Sequence, residues 1–315
     1  MVSSMYIRIR KAKISDAVQI ASIYRSDNPL VKNLIKGKMD RPEILYRFGG
    51  VWMHQYSCAE HIKLFREYGG EIFVAELNGR VIGHIEVIID KDRKHGEYAY
   101  ISVLMVHRNY RRKGIGRKLI KAAEKYAREN KMDIILVAAE EQSIEFYKKV
   151  GFRIDERWSS IYVYPQQFDA QVKAISKEKA IKEILENEYD PVIGRFHGTR
   201  MLLFEFIKQY STLKKLDIQH FFFKETTMDP NIIIGIRKSR DIPSVAWAWC
   251  GYEVDRHTIL RRISGIIHYL GLSKVLTAIP YKEAMSLDTV EKITWMKKAV
   301  AKEGQCINSQ RTEYK

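Results

Sequence analysis

The sequence predicts an α/β protein: a mixed, mostly antiparallel sheet flanked by helices, followed by a second α/β unit with a similar order of elements. Two observations lead to this prediction. Asn78-Gly79, between apolar runs, is a strong hairpin signal, and a third strand extends the hairpin into a meander. A glycine turn, a basic helix and an apolar run at 133–139 then form a strand–helix–strand crossover, which makes the two strands parallel.

The elements of the first half follow local signals. Residues 6–11 alternate apolar and basic side chains, as a half-buried strand does. The hairpin strands are predicted at 71–77 and 81–90, and the central strand at 97–106. Apolar residues at helical spacing predict an amphipathic helix over 115–129.

The segment 27–70 is predicted to be loop and helix, and it is rich in aromatic residues. We interpret most of these rings as packing residues on the sheet. His54 and His61 are likewise predicted to be helix-surface or packing residues rather than ligands.

The stretch 108–121 carries seven basic residues and no acidic one. Within it, Gly114 and Gly116 permit turn conformations that a side chain would hinder. Free N–H groups at the start of the following helix would then point into one concavity, at the positive end of the helix dipole. The pattern predicts a phosphate site, although it matches neither the dinucleotide-binding motif nor the P-loop.

The motif Arg111-x-x-Gly114-x-Gly116, after a strand that ends in Leu104-x-Val106, resembles the acetyl-CoA motif of the GNAT family of N-acetyltransferases. The motif by itself is short and is built from common residues. Its position between a buried strand and a basic helix is the one that the family uses.

A second motif follows at the distance that the family would require. Phe146-Tyr147-x-x-x-Gly151-Phe152 resembles the family's second signature, in which the glycine ends a helix. The order and separation of the two motifs make the combined match specific. The resemblance covers residues 6–164, about half of the chain.

The resemblance implies that acetyl-CoA is the cosubstrate and that its acetyl group passes directly to a primary amine. Backbone N–H groups at the end of the central strand would bind the pantetheine arm and the thioester carbonyl. Tyr147 would donate a proton to the departing CoA thiolate. The cofactor-binding residues implied in this way are Leu104, Met105, Val106, Arg111, Arg112, Lys113, Gly114, Ile115, Gly116, Arg117 and Tyr147.

The general base is less well defined by the resemblance. Where some members of the family carry a catalytic glutamate on the central strand, this chain has Tyr100. Glu97, Glu86 and His84 lie at neighbouring strand positions and are candidate bases, acting directly or through water. Each of the three also fits a surface or structural role.

The second half, from residue 166 to residue 315, lacks both motifs but has a similar order of elements. We therefore divide the chain into an acetyl-CoA-binding domain over 1–165 and a degenerate acetyltransferase-like domain that binds no cofactor. The elements predicted for the second half are helices at 173–188 and 200–216, strands at 232–236 and 244–254, a helix at 255–270, a strand at 274–279 and a final helix at 288–302.

The formal charge of +16 suits an anionic ligand, an acidic protein or nucleic acid, and it also fits a lysine-rich solvated surface. The leading interpretation is an acetyl-CoA-dependent N-acetyltransferase. The alternative is a non-catalytic protein on the same fold, either an acyl-CoA sensor or a nucleic-acid-associated factor. No RNA-binding motif accompanies the charge, which makes the nucleic-acid interpretation the weaker one.

Three scattered cysteines without metal-ligand spacing indicate a reducing compartment and no metal site. The sequence contains no apolar run near 18 residues and no signal-peptide pattern, so a cytoplasmic protein without a membrane partner is expected. The amine acceptor, a small molecule or a protein amine, stays open, and no sequence feature sets the oligomeric state.

Overall fold

The computed structural model describes residues 6–167, 172–194, 198–208, 210–225, 232–251, 254–285, 287 and 289–300. The first half contains β1 (Ile7–Lys11), α1 (Ala17–Arg25), α2 (Pro29–Lys36), α3 (Pro42–Tyr46), α4 (Gln55–Glu67), β2 (Gly70–Leu77), β3 (Arg80–Asp92), β4 (Gly96–Val106), α5 (Ile115–Glu129), β5 (Ile134–Ala139), α6 (Ile144–Lys149) and β6 (Arg153–Val163). The second half contains β7 (Val172–Ile175), α7 (Lys177–Glu186), β8 (Asp190–Ile193), α8 (Thr199–Ile207), β9 (Ile218–Glu225), β10 (Ile232–Ser239), β11 (Val245–Cys250), α9 (Arg256–Tyr269), β12 (Val275–Pro280) and β13 (Thr289–Ala299).

The described strands form one sheet in the order β1-β2-β3-β4-β5-β13-β6-β12-β11-β10-β9-β7, and β8 pairs with β11 beside this path. Two neighbouring pairs, β4–β5 and β11–β12, are parallel, whereas the others are antiparallel. The predicted mixed, mostly antiparallel sheet is therefore confirmed. The predicted parallel crossover through α5 is confirmed as well, since Ala99 pairs with Ile135.

Helices cover both faces of the first half of the sheet. On one face, α5 packs Leu119 and Ala123 against Ile85 of β3. On the other face, Ile20 of α1 and Phe65 of α4 share a buried cluster with strand residues of β2 to β5. Polar side chains on β3 that point towards α1 and α4 are consequently removed from solvent. None of the described helices is long and apolar enough to cross a membrane.

The last strand of each half is exchanged between the halves. The C-terminal β13 inserts between β5 and β6, and it pairs antiparallel with both. In return, β6 pairs with β12 of the second half. Each half thus contributes one strand, β6 from the first half and β13 from the second, that pairs with strands of the other half. The two halves therefore share one continuous sheet.

The predicted final helix at 288–302 is wrong for its described residues, which form strand β13. Lysine and glutamate in this segment favour a helix, but Ile293 to Met296 are all buried, as expected for a central strand that is covered on both faces. Hydrogen bonding to a strand on each side overrides the local helix preference.

Other boundaries in the second half also differ from the prediction. The helix at 173–188 is instead β7 followed by α7, with the Ser176 side chain capping the helix. The helix at 200–216 ends at Ile207 and is followed by a short turn of 3₁₀ helix at Ser211–Leu213. Strands β8 and β9 were not predicted from the sequence, whereas the predicted cap of α9 by Asp255 is confirmed.

Candidate active site

A β-bulge interrupts the central strand at Ser102. Glu86 of β3 pairs with Val103, and the next residue, Val87, pairs with Ile101, so Ser102 is the extra residue on β4. The described parallel pairing with β5 also ends at Ile101. Beyond this point β4 and β5 separate, and N–H groups that face β5 are available to a ligand that lies between the strands.

Leu104, Met105 and Val106, implied by the resemblance to bind the cofactor, line this gap. All three are half-buried, unlike the buried residues at 98–101 of the same strand. Their partial exposure begins just after the bulge at Ser102.

The glycine turn opens the N-terminus of α5. Gly114 is the N-cap with φ of 76°, and Arg112 also has a positive φ of 65°. Within the described chain, no side chain caps this terminus. The first N–H groups of the helix are therefore free to bind an anion, close to the positive end of the helix dipole.

The remaining residues of the turn have different environments. Arg111 donates from Nε to the Val106 carbonyl at 3.0 Å and forms an ion pair with Asp27, so it ties the turn to the end of β4. Lys113 lies over the Tyr110 ring, 5.5 Å from its centroid. The side chains of Arg112, Lys113 and Arg117 are exposed to solvent.

Two other positions of the turn are packed against the interior. Ile115 is buried. Gly116 lies so close to Phe146 that an added Cβ would be 3.0 Å from the ring, so the Phe146 side chain would have to shift. The two motifs found in the sequence are therefore packed against each other.

Tyr147 lies on α6 with only 6% of its surface exposed. Its ring packs edge-on against Phe146 and Phe152, with centroids 5.2 and 5.3 Å away. Burial, and to a lesser extent the charge of Glu140, raises the pKa of Tyr147 far above its ordinary value. The hydroxyl therefore stays protonated at neutral pH and is able to donate a hydrogen bond.

Glu86 is buried at the bulge and accepts several hydrogen bonds. Trp52 Nε1 donates to Oε1 at 2.7 Å, and the bulge residue Ser102 donates to Oε2 at 3.2 Å. His61 Nε2 lies 3.3 Å from the carboxylate. Burial alone would raise the pKa of Glu86, but the charge and hydrogen bond of His61 outweigh it and lower the pKa. Glu86 is therefore a buried carboxylate that stays ionised.

The histidines around Glu86 are also buried. His84 Nε2 lies 3.0 Å from the Tyr24 hydroxyl, while Nδ1 is 3.9 Å from Glu86. Burial lowers the pKa of His84 to about 4, against the attraction of Glu86, so the ring is neutral at pH 7. The expectation for His61 was incomplete: it packs against Phe65, but it also contacts the carboxylate.

The structure thus brings Glu86 and His84 together, but it does not bring Glu97 to them. Glu97 is exposed near the start of β4, where it pairs with Lys91. Tyr100, at the position where the resemblance implies a glutamate in some members of the family, is buried with its ring centroid 6.1 Å from that of Trp295. Among the described residues, no cluster of three or more His, Cys, Asp or Glu suits a metal ion.

Sequence reasoning missed Trp52, Ser102 and Tyr24 as neighbours of these groups. They come from separate elements, and no local motif connects them. Ser102 alone carried a weak signal, as a polar residue within an apolar strand.

The second half has an equivalent gap between β11 and β12, and strand β8 fills it. The described parallel pairing of β11 with β12 is limited to Val245 and Leu276, and β8 pairs with the end of β11, from Ala248 to Cys250. Just after β8, Gly194 N–H donates to the Ala278 carbonyl of β12 at 2.9 Å. The Asp255 carboxylate accepts from the first N–H groups of α9. Chain atoms therefore occupy both positions that stay open in the first half.

Comparisons with known proteins agree with this geometry. Residues 41–152 match the family model described as the acetyltransferase (GNAT) family. An N-alpha-acetyltransferase from Sulfurisphaera tokodaii is 32% identical over 160 residues, which cover 46% of this chain and 80% of that relative.

Two solved structures share the fold over most of the chain. A GCN5-related N-acetyltransferase from Anabaena variabilis aligns with 94% of this chain and 73% of its own, with a TM-score of 0.58 and 13% identity. A tandem GNAT protein from the clavulanic acid biosynthesis pathway aligns with 94% of this chain and 99% of its own, with a TM-score of 0.53 and 12% identity. With the sequence match to the Sulfurisphaera relative, these findings show that the chain belongs to the GNAT family of N-acetyltransferases, whose acyl donor is acetyl-CoA.

Proposed function

We propose that this protein transfers the acetyl group of acetyl-CoA to the α-amine of a peptide or protein N-terminus, with Glu86 as the base and Tyr147 as the proton donor. The observation that carries the proposal is the ionised Glu86 carboxylate buried at the Ser102 bulge, where β4 and β5 separate. An acyl-CoA sensor would not require a buried charge beside the thioester site.

The choice of an α-amine rests on chemistry and on the relative from Sulfurisphaera, which is named an N-alpha-acetyltransferase. Deprotonating a lysine amine at pH 7 costs about 4.6 kcal/mol, whereas an α-amine costs only about 1 kcal/mol. A carboxylate with a lowered pKa, such as Glu86, is a weak base. It therefore suits an α-amine, which loses its proton more readily than a lysine amine does.

In the proposed reaction the amine nitrogen attacks the thioester carbon, and a tetrahedral intermediate forms. Backbone N–H groups near the bulge stabilise its oxyanion. Glu86 attracts the positive charge that develops on nitrogen and accepts the proton, directly or through water. The C–S bond then breaks, and the Tyr147 hydroxyl donates its proton to the thiolate. Exchange with water restores both residues.

We further propose that each chain binds one acetyl-CoA. The gap in the first half accepts the pantetheine arm, and the exposed side chains of Arg112, Lys113 and Arg117 meet the phosphates. The second half has β8 and the Asp255 carboxylate in the equivalent positions. We propose the cytoplasm as the location, because Cys58 and Cys250 are free thiols.

The variant Glu86→Gln tests the proposal. We expect kcat/KM for an N-terminal peptide to fall by about 10²- to 10⁴-fold, because a neutral amide neither attracts the charge nor accepts the proton. Release of CoA is measured with a peptide that has a free N-terminus and no lysine, and with one that has a blocked N-terminus and one lysine.

Glu67→Gln, an exposed residue at the end of α4, is the matched control and should leave the rate unchanged. Loss of activity in Glu97→Gln but not in Glu86→Gln would contradict the assignment of the base. Faster turnover of the lysine peptide would contradict the assignment of the acceptor.

A further inference from the structure

A short segment of the second half, residues 210–216, is fastened to helix α4 of the first half. The Glu60 carboxylate accepts hydrogen bonds from the Thr212 N–H at 3.1 Å and from its hydroxyl at 2.8 Å, and it also accepts from the Ser211 N–H. Tyr210, Leu213 and Leu216 are buried in one cluster with Val51, which precedes α4. The segment therefore has a defined position against α4, beside His61.

Tyr210 reaches the candidate base through His61. Its hydroxyl lies 2.8 Å from Nδ1 of His61, whose other nitrogen, Nε2, lies 3.3 Å from the Glu86 carboxylate. The imidazole is 2% exposed, and it stacks with the rings of Phe65 and Tyr210. The three side chains form one buried line, whose outer member comes from the second half.

The hydrogen-bond chemistry gives this line a direction. An ionised carboxylate only accepts, so Nε2 of His61 carries the hydrogen that faces Glu86. The Tyr210 hydroxyl, which is able to donate or to accept, holds the other nitrogen, Nδ1, at 2.8 Å. With Tyr210 at Nδ1 and Glu86 at Nε2, both ring nitrogens have a partner, and the orientation of the imidazole is fixed.

We propose that Tyr210 is a positioning residue of the active site, which acts through His61 to fix the orientation of Glu86. This inference rests on the proposed role of Glu86 as the base. The inferred role of Tyr210 gives the second half a part in catalysis, although β8 fills the gap between β11 and β12 in that half.

Without the Tyr210 hydroxyl, Nδ1 loses this partner, and the imidazole is free to turn away from the Glu86 carboxylate. Because the Tyr210 hydroxyl contacts His61, we expect its effect on Glu86 to pass through that ring. Other titratable groups around Glu86 are His84 on its own strand, Cys58 on α4 and Tyr24 on α1.

The test is a double-mutant cycle with Tyr210→Phe and His61→Gln. Tyr210→Phe keeps the ring, and we expect kcat to fall about tenfold while KM for acetyl-CoA is unchanged. A glutamine at position 61 donates through its amide whether or not Tyr210 is present. In the His61→Gln background, Tyr210→Phe should therefore change kcat by less than about twofold.

Nitrogen NMR of the protein with ¹⁵N-labelled histidine gives a second readout, which loss of packing would not produce. The His61 Nδ1 signal, identified by its absence in His61→Gln, should shift in Tyr210→Phe, because Nδ1 loses the hydroxyl that it contacts. Tyr68→Phe, which removes a hydroxyl from the same aromatic layer around Phe204, is the control and should change neither measurement.

Additive effects of the two substitutions, or an unchanged His61 signal in Tyr210→Phe, would overturn the inference. A fully active Glu86→Gln variant would instead overturn the proposed function. An inactive Glu86→Gln variant combined with additive effects would remove only the role of Tyr210.

Discussion

Tyr147 is a packed core residue and also the proposed proton donor. Phe146 and Phe152 enclose its ring, and within the described chain its hydroxyl has no hydrogen-bond partner. A buried phenol that is not used by the fold is available to a ligand. The elevated pKa caused by burial keeps the proton on the oxygen at neutral pH.

For Tyr147→Phe we predict that kcat falls about 10²-fold, because the leaving thiolate loses its proton donor. KM for acetyl-CoA should change little, since the ring and its contacts stay in place. Steady-state kinetics with both substrates varied measures this. Tyr126→Phe, a half-buried hydroxyl on α5, is the control and should keep its rate. Unaltered turnover in Tyr147→Phe would remove this residue from the mechanism.

His84 makes stability depend on pH. Its pKa is lowered from about 6.5 in the unfolded chain to about 4 in the folded chain, so below pH 6.5 the unfolded chain binds a proton that the folded chain does not. The contribution of His84 to stability is complete above pH 6.5 and is lost as the pH falls towards 4.

We predict that the free energy of unfolding of the wild type falls by up to about 3 kcal/mol more than that of His84→Gln between pH 7 and pH 4. Urea denaturation at several pH values measures the difference. If the two proteins lose stability in parallel, His84 does not carry this dependence.

At the scale of elements, α5 and α9 occupy corresponding places but differ at their first turn. α5 starts at a left-handed glycine without a side-chain cap, whereas α9 is capped by Asp255. An aspartate in that position satisfies the N–H groups and repels phosphate. The strand gaps differ in the same way, because β8 occupies the one beside α9.

We predict that acetyl-CoA binds with a stoichiometry of one per chain and that Gly114→Ala weakens binding about five- to thirtyfold. No atom lies within 4 Å of the added methyl group, so the effect would come from the left-handed backbone, which costs about 1–2 kcal/mol for a non-glycine residue. Isothermal titration calorimetry measures both quantities.

The control is Gly79→Ala in the β2–β3 turn, which has φ of 77° and equally open space. It should lower stability by a similar amount and leave the affinity for acetyl-CoA unchanged. A second binding event per chain would contradict the single-site proposal, and equal affinities of Gly114→Ala and wild type would contradict the role of the turn.

At the scale of the whole molecule, the exchange of β6 and β13 joins the two halves into one sheet. Trp295 of β13 is 1% exposed and lies against Tyr100 of the central strand. The side chain that closes the core beneath β4 is thus provided by the last described strand of the chain. Unfolding of the second half would expose the core between the sheet and helices α1 and α4.

We predict that Trp295→Ala lowers the free energy of unfolding by about 3–5 kcal/mol, because it leaves a cavity in the core. The two halves should still unfold in one transition, followed by circular dichroism and by tryptophan fluorescence in urea. Val290→Ala, at a half-exposed position of the same strand, should cost less than about 0.5 kcal/mol. Two separate transitions, only one of them shifted, would contradict the coupling of the halves.

The elements that could be predicted from the amino-acid sequence are those that depend on a few neighbouring residues. The Asn78-Gly79 hairpin, the glycine turn before α5, the glycine at 151 and the cap of α9 depend on backbone conformations that a few neighbouring residues decide. The family motifs lie on these elements, so the family and the acetyl-CoA side of the site followed from them. Glu86 was predicted only as one of three candidate bases.

Tertiary structure alone decided the rest. β13 is a strand because β5 and β6 bond to both of its edges, and nothing within the segment itself signals those partners. Trp52 and His61 contact Glu86 from separate elements, and Tyr210 contacts His61 from a third segment. Such contacts depend on how distant segments pack, since a buried carboxylate takes its hydrogen bonds from whichever side chains the fold brings to it.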